Sequence, residues 1–495
     1  MKKILFLAVA AVCFFACEPK GPEIQVLPVG MSSFGFYAED NADALRADFT
    51  VNTINSSSIS ITFPYGVTKE NIKHLIPRFE VTEGASVTVN GEEAVSGKTA
   101  FDFTEPVDFI VSLNEKSNAY YSVNCSISSV KSFAFSAESE TAGLYDHIMR
   151  VSPTDNLPYF ITNDSTKTTA DRFPHLYRFN GTSIESVSTL TQSRADHPTM
   201  NFSPEGTLYV AFQDYSEAAS KGNTSVMKIE GNSASYVGNA GDIYKATGSN
   251  GYPIGILPLS DKDIYVGHIL GAATGGLARR ALNIAHYTGS WQNEITAPGR
   301  TSSNYGYSTI CKYKNGVGYM MVYNQNAHNV DLYKFTPGIE AVANDLKIIR
   351  SNSGSEYLPA INLRAINFDV ASNGDIYMLV CGQYISDTYN PAVIKYEQAT
   401  GRQTIIGGAI SDVNIDDAGS RSAIITLDSY DMPYIAIRKD ERALLYYLDA
   451  ETYEWKNIQI ADVNANRPQI EFAPDGTAYY CFTNESGRAV LYKAE

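Results

Sequence analysis

One turn phrase recurs seven times along the chain, and it constrains the fold more than any other feature. Residues 201–213, NFSPEGTLYVAFQ, read as a strand, a tight turn at Pro204-Glu205-Gly206 and a second strand from Leu208. Gly206 supplies the positive φ that such a turn needs. Clear copies are ASNGDIYMLV from Ala371, APDGTAYYCF from Ala473 and YKNGVGYMMV from Tyr313. Weaker copies are PTDNLPYFIT from Pro153, LSDKDIYVGH from Leu259 and DSYDMPYIAI from Asp428. Aligned, they place a tyrosine at one register: Tyr159, Tyr209, Tyr265, Tyr319, Tyr377, Tyr434 and Tyr479, at spacings of 50, 56, 54, 58, 57 and 45. Three residues earlier stand Asn156, Gly206, Lys262, Gly316, Gly374, Asp431 and Gly476, turn residues except for the lysine. A period of this size built from short strands is the signature of a β-propeller.

At 495 residues the chain holds more than one domain unless one is a large repeat. Its 33 tyrosines and 22 phenylalanines, with Val, Ile and Thr, favour strands over helices. The net charge is −16, and no basic run exists beyond Lys2-Lys3 and Arg279-Arg280. Phosphate backbones need clustered Lys and Arg, so no nucleic-acid partner is expected. Residues 1–17 read as a targeting segment: Lys2 and Lys3 precede an apolar run too short to span a bilayer. The run ends in Phe14-Phe15-Ala16-Cys17, which resembles a bacterial lipoprotein signal, with Phe14 where leucine is usual. That resemblance implies acylation of Cys17 and a membrane anchor, in an outer-membrane lipoprotein facing the cell surface or the periplasm. Cys125, Cys311, Cys381 and Cys481 lie far apart in β-rich segments, without ligand spacing, and read as small buried hydrophobes.

Residues 18–30 carry Pro19, Gly21, Pro22 and Pro28 and read as an extended tether. Residues 31–128 read as a β-sandwich, with strand-like runs at 58–63, 78–82, 86–89, 107–113 and 120–127. The run ITFPYGV…LIPRFEVTEGASVTVNG…FTEPVDFIVSLNEKSNAYYSV resembles the immunoglobulin-like modules near the N-terminus of many Bacteroidota surface lipoproteins. It implies a spacer or interaction module without chemistry. From 130 to 495 the repeat takes over, four strands to a unit; in the second unit they fall at 199–203, 208–213, 225–230 and 234–237. The last unit has only three, ending in VLYK at 490–493, which leaves an unpaired edge. The segment 131–137, KSFAFSA, is expected to fill it and close the ring. The expectation is therefore all-β: an immunoglobulin-like β-sandwich followed by a seven-bladed β-propeller. The turn phrase resembles those of NHL-type and related lactonase-like propellers, at the level of the pattern and with no catalytic residue implied.

Loop length locates a candidate site. Turns on one end of the blades are short, while connections of ten or more residues gather on the other: 163–175, 213–224, 239–252, 268–281, 298–308, 351–363, 382–391 and 411–422. Long loops on one rigid face commonly carry binding. Residues just before first strands should approach the central channel: Arg194, Asp196, His197, Tyr252, Tyr305 and Tyr307, then Tyr357, Arg364, Arg421 and Arg467. Adjoining loops add His268, Arg300, Tyr323, Gln325, His328, Gln383 and Tyr384. Aromatic faces can stack on a sugar's C–H surface while Arg, Asn and Gln bond its hydroxyls. Trp291 and Trp455 hold matching places at the fourth strand of their units and read as blade packing.

The chain contains no HExxH, GxSxG or P-loop. Asp196-His197 are adjacent, and neighbours on a strand point to opposite sides. Carboxylates for glycoside cleavage would have to meet from distant loops; Asp196, Asp214, Glu356 and Asp387 are available. The run from Asp412 to Asp417 alternates oxygens as a calcium loop does, but lacks the sixth-place glycine and has Ala423 where the twelfth-place glutamate belongs. No metal or cofactor is expected. The sequence points to a membrane-anchored, non-catalytic binding or scaffold protein whose long-loop face takes a glycan or an outer-membrane partner. The alternative is a propeller hydrolase or lyase acting on extracellular carbohydrate or lactone.

Overall fold

The computed structural model describes residues 29–114, 117–144, 147–163, 173–220, 222–246, 254–299, 306–324, 329–354, 356–358, 365–385, 388–415 and 423–494. Among these the chain is all-β, and its one α-helix is the single turn Lys69–Ile72. Two compact units are formed, one of residues up to Phe63 with Lys69–Ser128, the other of Pro64–Thr68 with Ser129–Glu495.

The first unit has two sheets. One orders Phe49–Val51, Met31–Phe36 and Pro77–Val81; the other orders Ser58–Phe63, Ser117–Ile127, Val107–Asn114, Ser86–Val89 and Glu92–Glu93. In Ser58–Phe63 the residues Ile59, Ile61 and Phe63 are buried and the alternate ones exposed, the period of a strand with one face on a core. Phenylalanines join the sheets: the Phe34 ring lies 5.4 Å from Phe109, and Phe36 lies 5.6 Å from Phe63. Met31–Phe36 escapes a reading of the sequence because Gly35 breaks the β-rich pattern, and Phe49–Val51 because it is only three residues long. Gly35 stands there because a Cβ would come within 2.9 Å of the Phe49 carbonyl on the paired strand.

The second unit contains seven antiparallel sheets of four strands. Their first strands are Ile148–Val151, Ala195–Phe202, Ile254–Ser260, Gly306–Lys314, Ala365–Val370, Ala423–Leu427 and Asn466–Phe472. Each packs beside the first strands of the neighbouring sheets, and that of the seventh packs beside that of the first. The seventh sheet takes three strands from the end of the chain; its fourth is Ala134–Glu138, which precedes the first sheet in sequence and pairs with Ala489–Ala494.

The turn register follows from backbone sterics. Gly206, Gly374 and Gly476 have φ of 91°, 90° and 85°, and Asn156 and Asp431 take 59° and 61° at the same position. Asn and Asp are the residues that best tolerate that region after glycine. Lys262 marks a different turn: Ser260 pairs with Asp263 after a register shift, which leaves a two-residue loop.

The tyrosine register marks the seams. Tyr159 packs on Phe202 of the second sheet, with ring centres 5.3 Å apart. Tyr265 lies 4.8 Å from Phe335 of the fourth and Tyr434 lies 5.1 Å from Phe472 of the seventh. Tyr479, on the seventh sheet, meets Phe179 of the first at 6.3 Å. Each seam between successive sheets has its own apolar cluster containing that tyrosine. The core is thus a series of inter-sheet layers, and a large ring is the side chain that spans each.

Candidate functional site

The seven first strands line one narrow space. Ile148 and Arg150, Thr199 and Asn201, Gly255 and Ile256, Thr309 and Lys312, Asn367, Ile424 and Gln469 face a throat of about 40 Å³. It shares Arg150, Asn201, Cys311 and Lys312 with a wider cavity of about 410 Å³ at the C-terminal ends of the first strands, beside the short turns.

Polar side chains of these strands stitch each sheet to the next. Asn201 Nδ2 donates to Ile256 O at 3.3 Å. Asn367 and Asp369 accept from the backbone N–H of Ile425 and Leu427, at 3.3 and 2.8 Å. Across the seam between the seventh and first sheets, Gln469 Oε1 accepts from Met149 N and its Nε2 donates to His147 O, both at 2.8 Å. Glu471 accepts from Val151 N at 2.8 Å and from Arg150 Nη1 at 2.7 Å. Neighbouring first strands belong to different sheets and cannot form a ladder, so side chains satisfy their backbone groups. Sequence reading missed these residues. Their signal is a polar residue eight or ten positions before the register tyrosine, as in Asn367 and Asp369 before Tyr377 and Gln469 and Glu471 before Tyr479.

At the opposite, N-terminal ends the first strands share another device. The pairing slips by one residue between Asp196 and Thr199, between Gly306 and Thr309, and between Asn466 and Gln469. Such bulges re-aim side chains at the ends of strands. His197 and Arg467 sit in two of them at φ of 54° and 53°. Both precede proline, which makes a left-handed conformation still less favourable, so tertiary packing holds both residues there.

Beside the first bulge, Arg194 Nη2 donates to Asp196 Oδ2 at 2.5 Å and its guanidinium carbon lies 4.0 Å from the centre of the Tyr215 ring. Lys245 Nζ approaches the same ring at 5.2 Å. The hydrogen bond to Asp196 raises the Arg194 pKa, whereas burial lowers that of His197. The sequence-predicted residues Arg194, Asp196 and His197 therefore form one cluster, completed by Tyr215 and Lys245.

The remaining candidates do not join this cluster by any described contact. His268 is fully buried, its Nε2 2.6 Å from Glu294 Oε2. Tyr323 is buried in the apolar seam of the fourth and fifth sheets, against which Tyr384 packs, so both rings are engaged in the core. Tyr357 is exposed, with Lys347 Nζ 5.9 Å from its ring centre. Cys17, Tyr252, Arg300, Tyr305, Gln325, His328, Arg364, Asp387 and Arg421 lie outside the described residues, as does the side chain of Tyr307.

Asp412 accepts from Lys439 Nζ at 2.6 Å and from Tyr446 Oη at 2.9 Å. No group of three metal-ligating side chains gathers among the described residues. Cys481 Sγ lies 3.5 Å from His147 Nε2, a spacing at which a thiolate–imidazolium pair could form. Burial instead drives the thiol upward and the imidazole down to about 4, so both are neutral and the pair is structural. Trp291 and Trp455 are seam residues: the first donates to Val237 O at 2.8 Å and the second to Ile406 O at 3.1 Å, each on the preceding sheet.

Residues 44–125 match the family described as SGBP, N-terminal. No curated protein matches the chain. Among solved structures, an α-L-arabinofuranosidase from Fusarium graminearum is 10% identical, covering 74% of this chain and 97% of its own, with a TM-score of 0.41. Virginiamycin B lyase from Staphylococcus aureus is 11% identical over 73% and 99%, at 0.43. The WD40 domain of Toxoplasma gondii coronin is 8% identical over 74% and 84%, at 0.43. Likenesses of this size say nothing of activity.

Proposed function

We propose that this is a non-catalytic glycan-binding protein of the bacterial cell surface, anchored through a lipid on Cys17. In this reading the first unit is an immunoglobulin-like spacer and the second a seven-bladed β-propeller that presents the ligand site. The observation that carries the reading is the match of residues 44–125 to the N-terminal module of SGBP, a family of cell-surface glycan-binding proteins of Bacteroidota. The cluster at the N-terminal end of the second sheet suits a sugar. Asp196 and Tyr215 hold the Arg194 guanidinium in one orientation, so its donors lose little freedom when they bond hydroxyls.

The test is calorimetric titration of a polysaccharide panel with the full chain, alongside an assay for released reducing ends. Binding without product, weakened about tenfold or more in Arg194→Ala, supports the reading; a tenfold loss equals about 1.4 kcal/mol. Product release by the wild type, or wild-type binding by a folded Arg194→Ala variant, overturns it.

A further inference from the structure

The cavity beside the short turns lies at the other end of the first strands from the Arg194 cluster, and its lining has a chemistry of its own. Six of the seven sheets contribute to it, and at about 410 Å³ it falls in the range of small-molecule sites. It narrows into the throat that all seven first strands enclose.

Its charges are unequally engaged. Arg150 and Glu471 neutralise one another at 2.7 Å, and Glu471 also accepts from Val151 N. Asp369 is held by Thr426 Oγ1 at 3.1 Å, by Leu427 N at 2.8 Å and by Val370 N at 2.9 Å. Those bonds occupy both carboxylates with their own neighbours. Lys312 Nζ stands 3.9 Å from Asp369 Oδ1, within ion-pair range but too far for a hydrogen bond. Lys314 lines the cavity on the same strand, two residues on and so on the same side. Asp428 also feels Lys314, but its Oδ1 accepts from Tyr430 N and Met432 N, and it does not line the cavity. The rim thus presents two ammonium groups against one firmly bonded carboxylate.

Two further features argue for an organic anion. Phe202, Tyr313 and Phe472 contribute aromatic surface to the wall. Thr309, 3% exposed, lines the throat, and its hydroxyl has no hydrogen-bond partner among the described residues. A buried hydroxyl in that condition is open to a polar group entering from the cavity.

We infer that this funnel binds a small sugar acid, its carboxylate between Lys312 and Lys314 and its ring against the aromatic wall. The site goes beyond the function proposed above and stands or falls separately from it. A protein that binds no polysaccharide could still bind a sugar acid here, and the reverse also holds.

The experiment is titration of the full chain with D-galacturonate and D-glucuronate, with D-galactose and inorganic phosphate as comparisons, at low and high salt. One uronate or both are expected to bind at least tenfold more tightly than galactose or phosphate, and more weakly at high salt. Lys312→Met and Lys314→Met should each lose tenfold or more, while the surface variant Arg442→Met retains wild-type binding. Thr309→Val should keep the melting temperature and weaken uronate binding. Equal binding of galactose, equal binding of phosphate, no uronate binding at millimolar concentration, or wild-type affinity in the lysine variants would each overturn the inference. Melting curves of the lysine variants establish that a loss of binding is not a loss of fold.

Discussion

Acid should open the seam between the seventh and first sheets, and His147 sets where. This imidazole is 1% exposed. Its Nδ1 lies 2.9 Å from Thr483 Oγ1 and 3.2 Å from Leu144 O, and its Nε2 faces Cys481. Burial without a carboxylate partner lowers its pKa from 6.5 to about 4. The folded state therefore resists a proton that the unfolded chain accepts. The sign follows from linkage: the stabilisation is complete above pH 6.5 and is lost as pH falls through about 4. The displacement corresponds to about 3 kcal/mol. Asp428 works the other way. Burial raises its carboxyl from 3.8 to about 6, so its share of stability is present below 3.8 and lost as pH rises through about 6. Asp428 keeps some solvent contact, so its effect is about 1–2 kcal/mol. The assay is urea unfolding of wild type, His147→Gln and Asp428→Asn at about pH 7.5 and about pH 4. On acidification the wild type should lose the His147 contribution less what Asp428 regains. Asp428→Asn should be the more stable protein at about pH 7.5 and show the steeper acid loss, while His147→Gln should gain stability on acidification. Identical pH slopes in wild type and His147→Gln would refute the reasoning.

Three further outcomes follow from the packing. Gly206→Ala should destabilise more than Gly476→Ala, because both need positive φ, costing about 1 kcal/mol, but a Cβ at 206 would also meet Thr154 Cγ2 at 2.5 Å while that at 476 meets nothing; equal unfolding midpoints would refute this. Tyr480→Phe removes the hydroxyl that donates to Leu444 O at 2.8 Å in a fully buried site. It should cost about 1–3 kcal/mol in denaturant unfolding, and a neutral result would count against the bond. Trp455→Phe deletes the donor to Ile406 O and opens space beside Gly407. It should lower the melting temperature measurably, whereas an exposed aromatic such as Tyr120 replaced by Phe should not.

The repeat was legible because its cause is local. A turn that needs positive φ selects Gly, Asn or Asp, and a seam one side chain wide selects Tyr, whatever lies elsewhere in the chain. The strand Ala134–Glu138 could be placed beside the last unit only by subtraction, from an edge that lacked a partner. Gly35 hid a strand, since its reason for being there is a neighbour distant in sequence. The stitching residues Asn201, Asn367, Asp369, Gln469 and Glu471 read as polar interruptions of apolar strands, because the backbone groups they satisfy belong to another sheet.

Taken alone, the order of residues determined the all-β character, the period and the turns, each of which answers to sterics within a few positions. It could also offer tyrosines and arginines as ligand groups. Only the tertiary structure separated Tyr323, buried in a seam, from Arg194, stacked on Tyr215, and brought Lys312 and Lys314 to the rim of one cavity. Burial and charge at a point are sums over everything nearby, and nearness in this chain is set by pairings across tens to hundreds of residues.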